Sequence, residues 1–159
     1  MAEMVVRQMT QTEFDDWRSR AIKVYAEEQV AAGNWAAGEA ERLAAEGHDA
    51  LLPDGFDTPG MLFLLAHDPD GNRVGILWLS LTHPRGVPDC GFIYDIEVDE
   101  AYRGAGYGRA LLTAAENELR SRGVRSLGLN VFGDNTPAVR LYESSGYRVV
   151  TQQMVKPLD

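Results

Sequence analysis

Glycines stand at alternate positions, Gly104, Gly106 and Gly108, directly after a strand-like run, Gly91–Val98, and at the start of a helical one that closes at Gly123. A strand that turns through glycines into an amphipathic helix presents bare main-chain amides at the helix start. There the first N–H groups lack partners and the helix dipole is positive. Glycine keeps side chains off those amides and permits left-handed dihedrals. The segment therefore predicts a helix packed on a sheet and a site for a phosphate-bearing ligand. A tight strand-to-helix turn with no ligand is the plainer reading of these residues taken alone.

The spacing narrows the ligand. A dinucleotide fingerprint, G-x-G-x-x-G, fails at Arg109 when started from Gly104 and at Leu111 when started from Gly106. A nucleoside-triphosphate loop ending in G-K-S/T is absent. What fits is R-x-x-G-x-G, filled by Arg103, Gly106 and Gly108.

Elsewhere the chain alternates strands and helices. Val5–Met9 reads as a strand, and Thr10 with Glu13 has capping-box spacing before a helical pattern running to about Ala32. Asn34 is placed to cap a second helix ending near Glu46. Met61–His67 and Arg73–Thr82 are strands joined by the turn-forming residues Asp68–Asn72, and His83–Asp89 is a loop. Beyond the glycine loop, a helix spans about Gly106–Arg122, and Ser126–Phe132 is a strand. Thr136-Pro137 opens a helix to Ser145, and Tyr147–Val155 reads as a last strand. The expected architecture is α/β (α+β): one domain over residues 1–159, with a central mixed, mostly antiparallel β-sheet flanked by about four helices. Trp17 and Trp78 are expected in the core, and Trp35 beside a substrate cleft.

Two segments resemble a known family. Arg103–Gly108 resembles the acyl-CoA signature Q/R-x-x-G-x-G/A of the GNAT acetyltransferase superfamily. Asn135–Tyr147 resembles its second segment, N-x-x-A-x-x-L-Y-E-x-x-G-F/Y, at every anchor position. The two lie in the right order, and the likeness extends over about Arg73–Val155. Tyr25–Trp35, Leu52–Gly55 and Phe92–Asp95 are similar to a bacterial subgroup of GNAT acetyltransferases without an assigned substrate.

The resemblance implies acetyl-CoA as acyl donor and direct transfer of its acetyl group to an amine of a small molecule, protein or peptide. It implies that main chain at Val98 holds the pantetheine arm. The loop Arg103, Gly104, Ala105, Gly106, Tyr107 and Gly108 would hold the pyrophosphate, and Asn135 would contact the cofactor. Tyr142 occupies the place of the phenol that lies near the coenzyme sulfur, where it would return a proton to the leaving thiolate; a core tyrosine is the alternative.

Asp95 and Glu97, two apart on an apolar strand, are the candidate bases, since carboxylates placed there are costly to bury without a use. In several amine-acetylating relatives the position before Asp95 carries a glutamate base; here it is Tyr94, which leaves open whether Asp95 or Glu97 is the base, whether Asp95 only grips the substrate cation, or whether the pair is structural. The competing class is a non-catalytic acyl-CoA-binding sensor or regulatory module. GNAT relatives are often dimers, so a homodimer is expected by analogy.

Composition limits the partners. The net charge of −9 disfavours a nucleic-acid backbone and favours a cationic acceptor, unless it serves solubility alone. Cys90 is the single cysteine, which excludes an internal disulfide, and His48, His67 and His83 have no metal-ligand spacing. With no membrane-length apolar run and no secretory leader pattern, a cytoplasmic setting without membrane association is expected.

Overall fold

The computed structural model describes residues 2–159. Its elements run β1 (Val5–Gln8), α1 (Gln11–Ala31), α2 (Ala37–Leu51), β2 (Met61–His67), β3 (Arg73–Ser80), β4 (Cys90–Val98), α3 (Tyr107–Arg120), β5 (Ser126–Leu129) and α4 (Thr136–Ser144). The five strands form one sheet in sequence order. β1 to β4 pair antiparallel, and β5 alone runs parallel to β4, so the mixed, mostly antiparallel sheet with four α-helices is borne out among the described residues.

Each face of the sheet has its own core. On one, Leu77, Leu79 and Ile93 meet Leu111, Leu112, Ala115 and Leu119 of α3, all under 4% exposed. On the other, Phe14 and Trp17 of α1 pack on Phe63, Ile76 and Trp78. The amphipathic stripes read from the sequence face these cores, where burial of apolar area is the main favourable term.

Local chemistry decides the helix ends. Thr10 Oγ1 accepts from the Glu13 N–H while Glu13 accepts from the Thr10 N–H, so the capping box forms as its spacing predicts. Arg7 adds a paired bond to Glu13 at 2.8 Å, and that charge with the two Thr10 bonds pulls the Glu13 carboxyl down to about 2. Asn34 does not cap α2. Ala36 holds that position, and Asn34 instead closes α1 by donating to Gln29 at 2.7 Å. α2 runs on to Leu51 rather than stopping near Glu46, because its later turns bury Ala44 and His48. Small side chains at Ala26, Ala40 and Ala44 let α1 and α2 approach closely.

Two strands differ from expectation. β5 stops at Leu129 rather than Phe132. Tyr147–Val155 is not a strand: residues 148–159 carry no regular structure and are all exposed. β-branched residues there favour an extended backbone, but a strand exists only against a partner, and this segment pairs with none among the described residues.

Strand β4 is irregular at the point that matters for the site. Asp95 pairs with Trp78 and Ile93 with Leu79, so Tyr94 is a surplus residue, a β-bulge. Tyr94 stacks on Trp78 at 4.7 Å, and Asp95 accepts from Trp17 Nε1; both therefore face α1.

Candidate active site

The site is built where β4 loses its outer partner. β5 covers only Cys90–Ile93, so Tyr94–Val98 leaves one edge of main chain open. The Asp99 N–H donates inward to Val74 O of β3, and by strand alternation the main-chain groups of Val98 point outward. Arg103 Nε donates to Val98 O at 3.1 Å, folding the loop back against this edge.

The loop then turns through Gly104 (φ 78°) and Gly106 (φ 90°), left-handed dihedrals that a side chain would strain. A Cβ at Gly104 would meet nothing within 4 Å, so the loop is not sealed by its own side chains. Gly106 caps α3 without any side-chain bond, and the first turn of α3 holds no acidic residue. α1 and α4, in contrast, are capped by Thr10 and Asn135. The first amides of α3 thus have no side-chain cap. Gly108 is small for another reason: a Cβ there would lie 3.1 Å from Leu141 Cδ2, so it lets α4 approach α3.

α4 forms the facing wall. Its end is set by Gly146 (φ 95°), where the Tyr147 N–H reaches back to Tyr142 O and the Gly146 N–H to Glu143 O. Tyr147 then anchors through its hydroxyl, which donates to Glu116 at 2.9 Å, and packs edge-on against Tyr142. Ile96, Val98, Tyr102, Arg103, Gly104, Gly108, Pro137, Ala138, Leu141 and Tyr142 enclose an open cleft of about 330 Å³.

Four predicted coenzyme-binding residues lie outside that lining. Ala105 and Gly106 are exposed on the loop, Tyr107 packs edge-on against Tyr102, and Asn135 Oδ1 accepts from the Ala138 N–H as the α4 cap. Asn135 therefore shapes the wall from which Tyr142 projects.

The carboxylates stand on the other side of the opening. Asp95 is half-buried and accepts from Trp17 Nε1 at 3.3 Å. Loss of solvent, reinforced by the charge of Glu97, raises its carboxyl to about 7. Glu97, more exposed, shares the α1 side: partial burial, then the charge of Glu97, raises Glu28 of α1 as well. Burial, then the charge of Asp95, raises the Tyr142 phenol. Asp95 is thus electrostatically linked both to the cleft tyrosine and to an acidic ledge made by Glu97 and Glu28.

Trp17 and Glu28 belong to this group although their sequence positions give no sign of it. Trp17 reads as a core residue and is one, at 2% exposed, but its indole N–H is spent on Asp95. Glu28 is one of several acidic residues on α1. Trp35 packs edge-on against Tyr25, 5.6 Å away, beside the α1–α2 seam.

A sheet opened beside its fourth strand, a glycine loop feeding an uncapped helix and a facing tyrosine together define an acetyltransferase of the GNAT type. The chain belongs to the acetyltransferase (GNAT) family, whose pattern matches residues 24–147. It is 36% identical over 150 residues to the uncharacterised N-acetyltransferase YycN of Bacillus subtilis, covering 94% of this chain and 96% of that one. It is 31% identical to YdgE of the same organism, covering 94% and 95%. The crystal structure of YycN superposes with a TM-score of 0.92 at 34% identity, over 98% of this chain and 99% of that one. No helix among the described residues is long and apolar enough to cross a membrane.

Proposed function

We propose that this chain moves the acetyl group of acetyl-CoA directly to a primary amine on a cationic acceptor, with Asp95 as base and Tyr142 as proton donor. The observation that carries the reading is the cleft in which the open edge of β4 at Ile96 and Val98, the loop at Arg103 and Gly104, and Tyr142 line one space, with Asp95 near enough for its charge to act on the phenol. The loop fits the coenzyme on its own geometry: open space above Gly104, and uncapped amides at the start of α3. Arg103 with the Gly104–Gly108 backbone would hold the pyrophosphate, and the free edge at Ile96 and Val98 would hold the pantetheine arm. When bound, the coenzyme supplies a thioester, an acyl group already activated for transfer.

The remaining tasks fall to this chain's side chains. Asp95 takes a proton from the acceptor ammonium, and a carboxyl near 7 is well matched to that exchange at neutral pH. As the C–N bond forms and the C–S bond breaks, Tyr142 gives its phenolic proton to the departing sulfur, and the second proton shed by the amine nitrogen restores the phenol. Burial keeps that phenol protonated until it is needed. Glu97 and Glu28 attract the cationic acceptor and hold its ammonium toward Asp95.

The test is release of free thiol from acetyl-CoA over a panel of primary amines, diamines and basic peptides, beside calorimetric binding of coenzyme A. Turnover on at least one cationic amine, lost in Tyr142→Phe and Asp95→Asn, is expected. Tight coenzyme binding with no turnover on any amine would replace this reading with that of a non-catalytic sensor.

A further inference from the structure

The main chain at Tyr142 is placed by α3. Gly108 admits Leu141 beside it, and Arg109 donates to the hydroxyls of Ser144 and Ser145, at 2.8 and 3.0 Å, where α4 ends. The aim of the phenol is a separate matter. A hydroxyl that must give its proton to sulfur is poorly served by a standing bond elsewhere, so its direction rests on what packs against the ring. Tyr147 stands edge-on there, with ring centroids 6.0 Å apart. Tyr147 is itself held at two points. Its N–H donates to Tyr142 O at 3.0 Å, and its hydroxyl donates to Glu116 Oε2 at 2.9 Å, joining residues 31 positions apart.

Glu116 follows the fully buried Ala115 on α3, so this bond ties Tyr147 to a helix seated in the core. The carboxylate is half-buried and forms no ion pair among the described residues. A charge kept in such a place without a cation is costly unless its hydrogen bond is of use. A bond from a phenol to a carboxylate is among the strong ones, and it is directional. Burial, then this bond, raises the Tyr147 phenol, so the hydroxyl stays a donor. We propose that Glu116 is a positioning residue for proton transfer: through the Tyr147 hydroxyl it fixes the ring that packs against Tyr142, and so aims the Tyr142 phenol at the coenzyme sulfur. The inference rests on the reading of Tyr142 as proton donor. Released at its hydroxyl end, the Tyr147 ring would let that phenol swing, and a misplacement of about 1 Å at a reacting group can cost on the order of 10²-fold in rate.

The test is a mutant cycle on the full chain, read by thiol release from acetyl-CoA with the amine of the panel that turns over fastest. Tyr147→Phe and Glu116→Leu are each expected to lower kcat about tenfold, with the KM for acetyl-CoA and for the amine moved by less than about twofold. Glu116→Gln, whose amide oxygen still accepts, is expected to keep kcat within about threefold of the parent. In a chain already carrying Tyr142→Phe, neither Tyr147→Phe nor Glu116→Leu should lower kcat further, because the donor they would misdirect is gone. Where Glu116→Leu does not fold, the cycle runs on Tyr147→Phe, which keeps the ring. An unchanged kcat in Tyr147→Phe overturns the proposal. So does a loss that multiplies with that of Tyr142→Phe, or one that falls on coenzyme affinity, since either marks a merely structural bond. Failure of the donor reading is told apart by a single variant: a parental kcat in Tyr142→Phe alone, or an amine panel without turnover, overturns that reading and this proposal with it.

Discussion

The indole of Trp17 donates to the carboxylate of Asp95 across 3.3 Å, joining residues 78 positions apart and tying α1 to β4 at the site. A bond to the charged form opposes the desolvation that raises Asp95. Trp17→Phe keeps a ring in the core but removes the donor. The ascending limb of kcat/KM against pH is therefore expected to move to higher pH, with the maximal rate reduced less than tenfold. An unmoved limb would mean that the indole serves packing alone.

Asp95 couples activity and stability in opposite senses. Its carboxyl sits near 7 in the folded protein against 3.8 in an open chain, so folding favours the protonated form. That contribution is fully present below pH 4 and is lost as pH rises through 7. Asp95→Asn is expected to raise the stability of the fold at pH 8, by on the order of a few kcal/mol at most, but hardly at pH 4, and the melting temperature with it. The same variant should lose the ascending limb near pH 7 and about 10²-fold or more in rate. Thermal scans at the two pH values, with rate profiles, check both.

Tyr142→Phe retains the ring that packs against Tyr147 and loses only the proton. We expect kcat to fall about 10²-fold with the KM for acetyl-CoA changed less than threefold. A fall in coenzyme affinity of similar size would instead assign the hydroxyl to binding.

The glycines of the loop separate into two kinds, and alanine distinguishes them. Gly106→Ala forces a side chain into a left-handed dihedral at φ 90°, costing about 1–2 kcal/mol and distorting the anion-facing amides. Its main kinetic effect should be a higher KM for acetyl-CoA. Gly108→Ala has helical dihedrals but crowds Leu141 at 3.1 Å, moving α4 and with it Tyr142, so its main effect should be on kcat. Steady-state kinetics on the pair gives the comparison.

His48 is buried at 6% exposure between Trp17 and Trp78, with no partner for its Nδ1 among the described residues. Burial, then the charge of Arg18, lowers it to about 4. The folded state thus keeps it neutral, giving stability that is present above about pH 6.5 and is lost as pH falls toward 4. His48→Leu should flatten the decline in denaturation midpoint between pH 6.5 and 4, whatever its effect at pH 8.

The parts of this site that the sequence makes legible are those whose chemistry is local. Gly104 and Gly106 announce left-handed turns, and Thr10 with Glu13 announces a helix start. The anchors around Tyr142 carry a resemblance specific enough to give both family and fold. Trp17 and Glu28 escaped because their roles are set by what lies across the sheet, and no spacing along α1 encodes it. The tail failed for a related reason: strand propensity at Val149–Thr151 describes a backbone preference, while a strand requires a partner, and this segment pairs with none among the described residues.

The surplus residue in β4 sets the parity of everything after it. Were the strand to run regularly through Tyr94, Asp95 and Glu97 would turn toward α3, and Ile96 and Val98 would turn toward α1. Loss of Tyr94 would straighten the strand and leave the acids where they stand. Loss of any residue from Ile96 to Val98 would put at least one group on the wrong side. Length in that stretch is therefore held more tightly than side-chain identity, and a chain shortened there by one residue would keep its sheet and forfeit its chemistry.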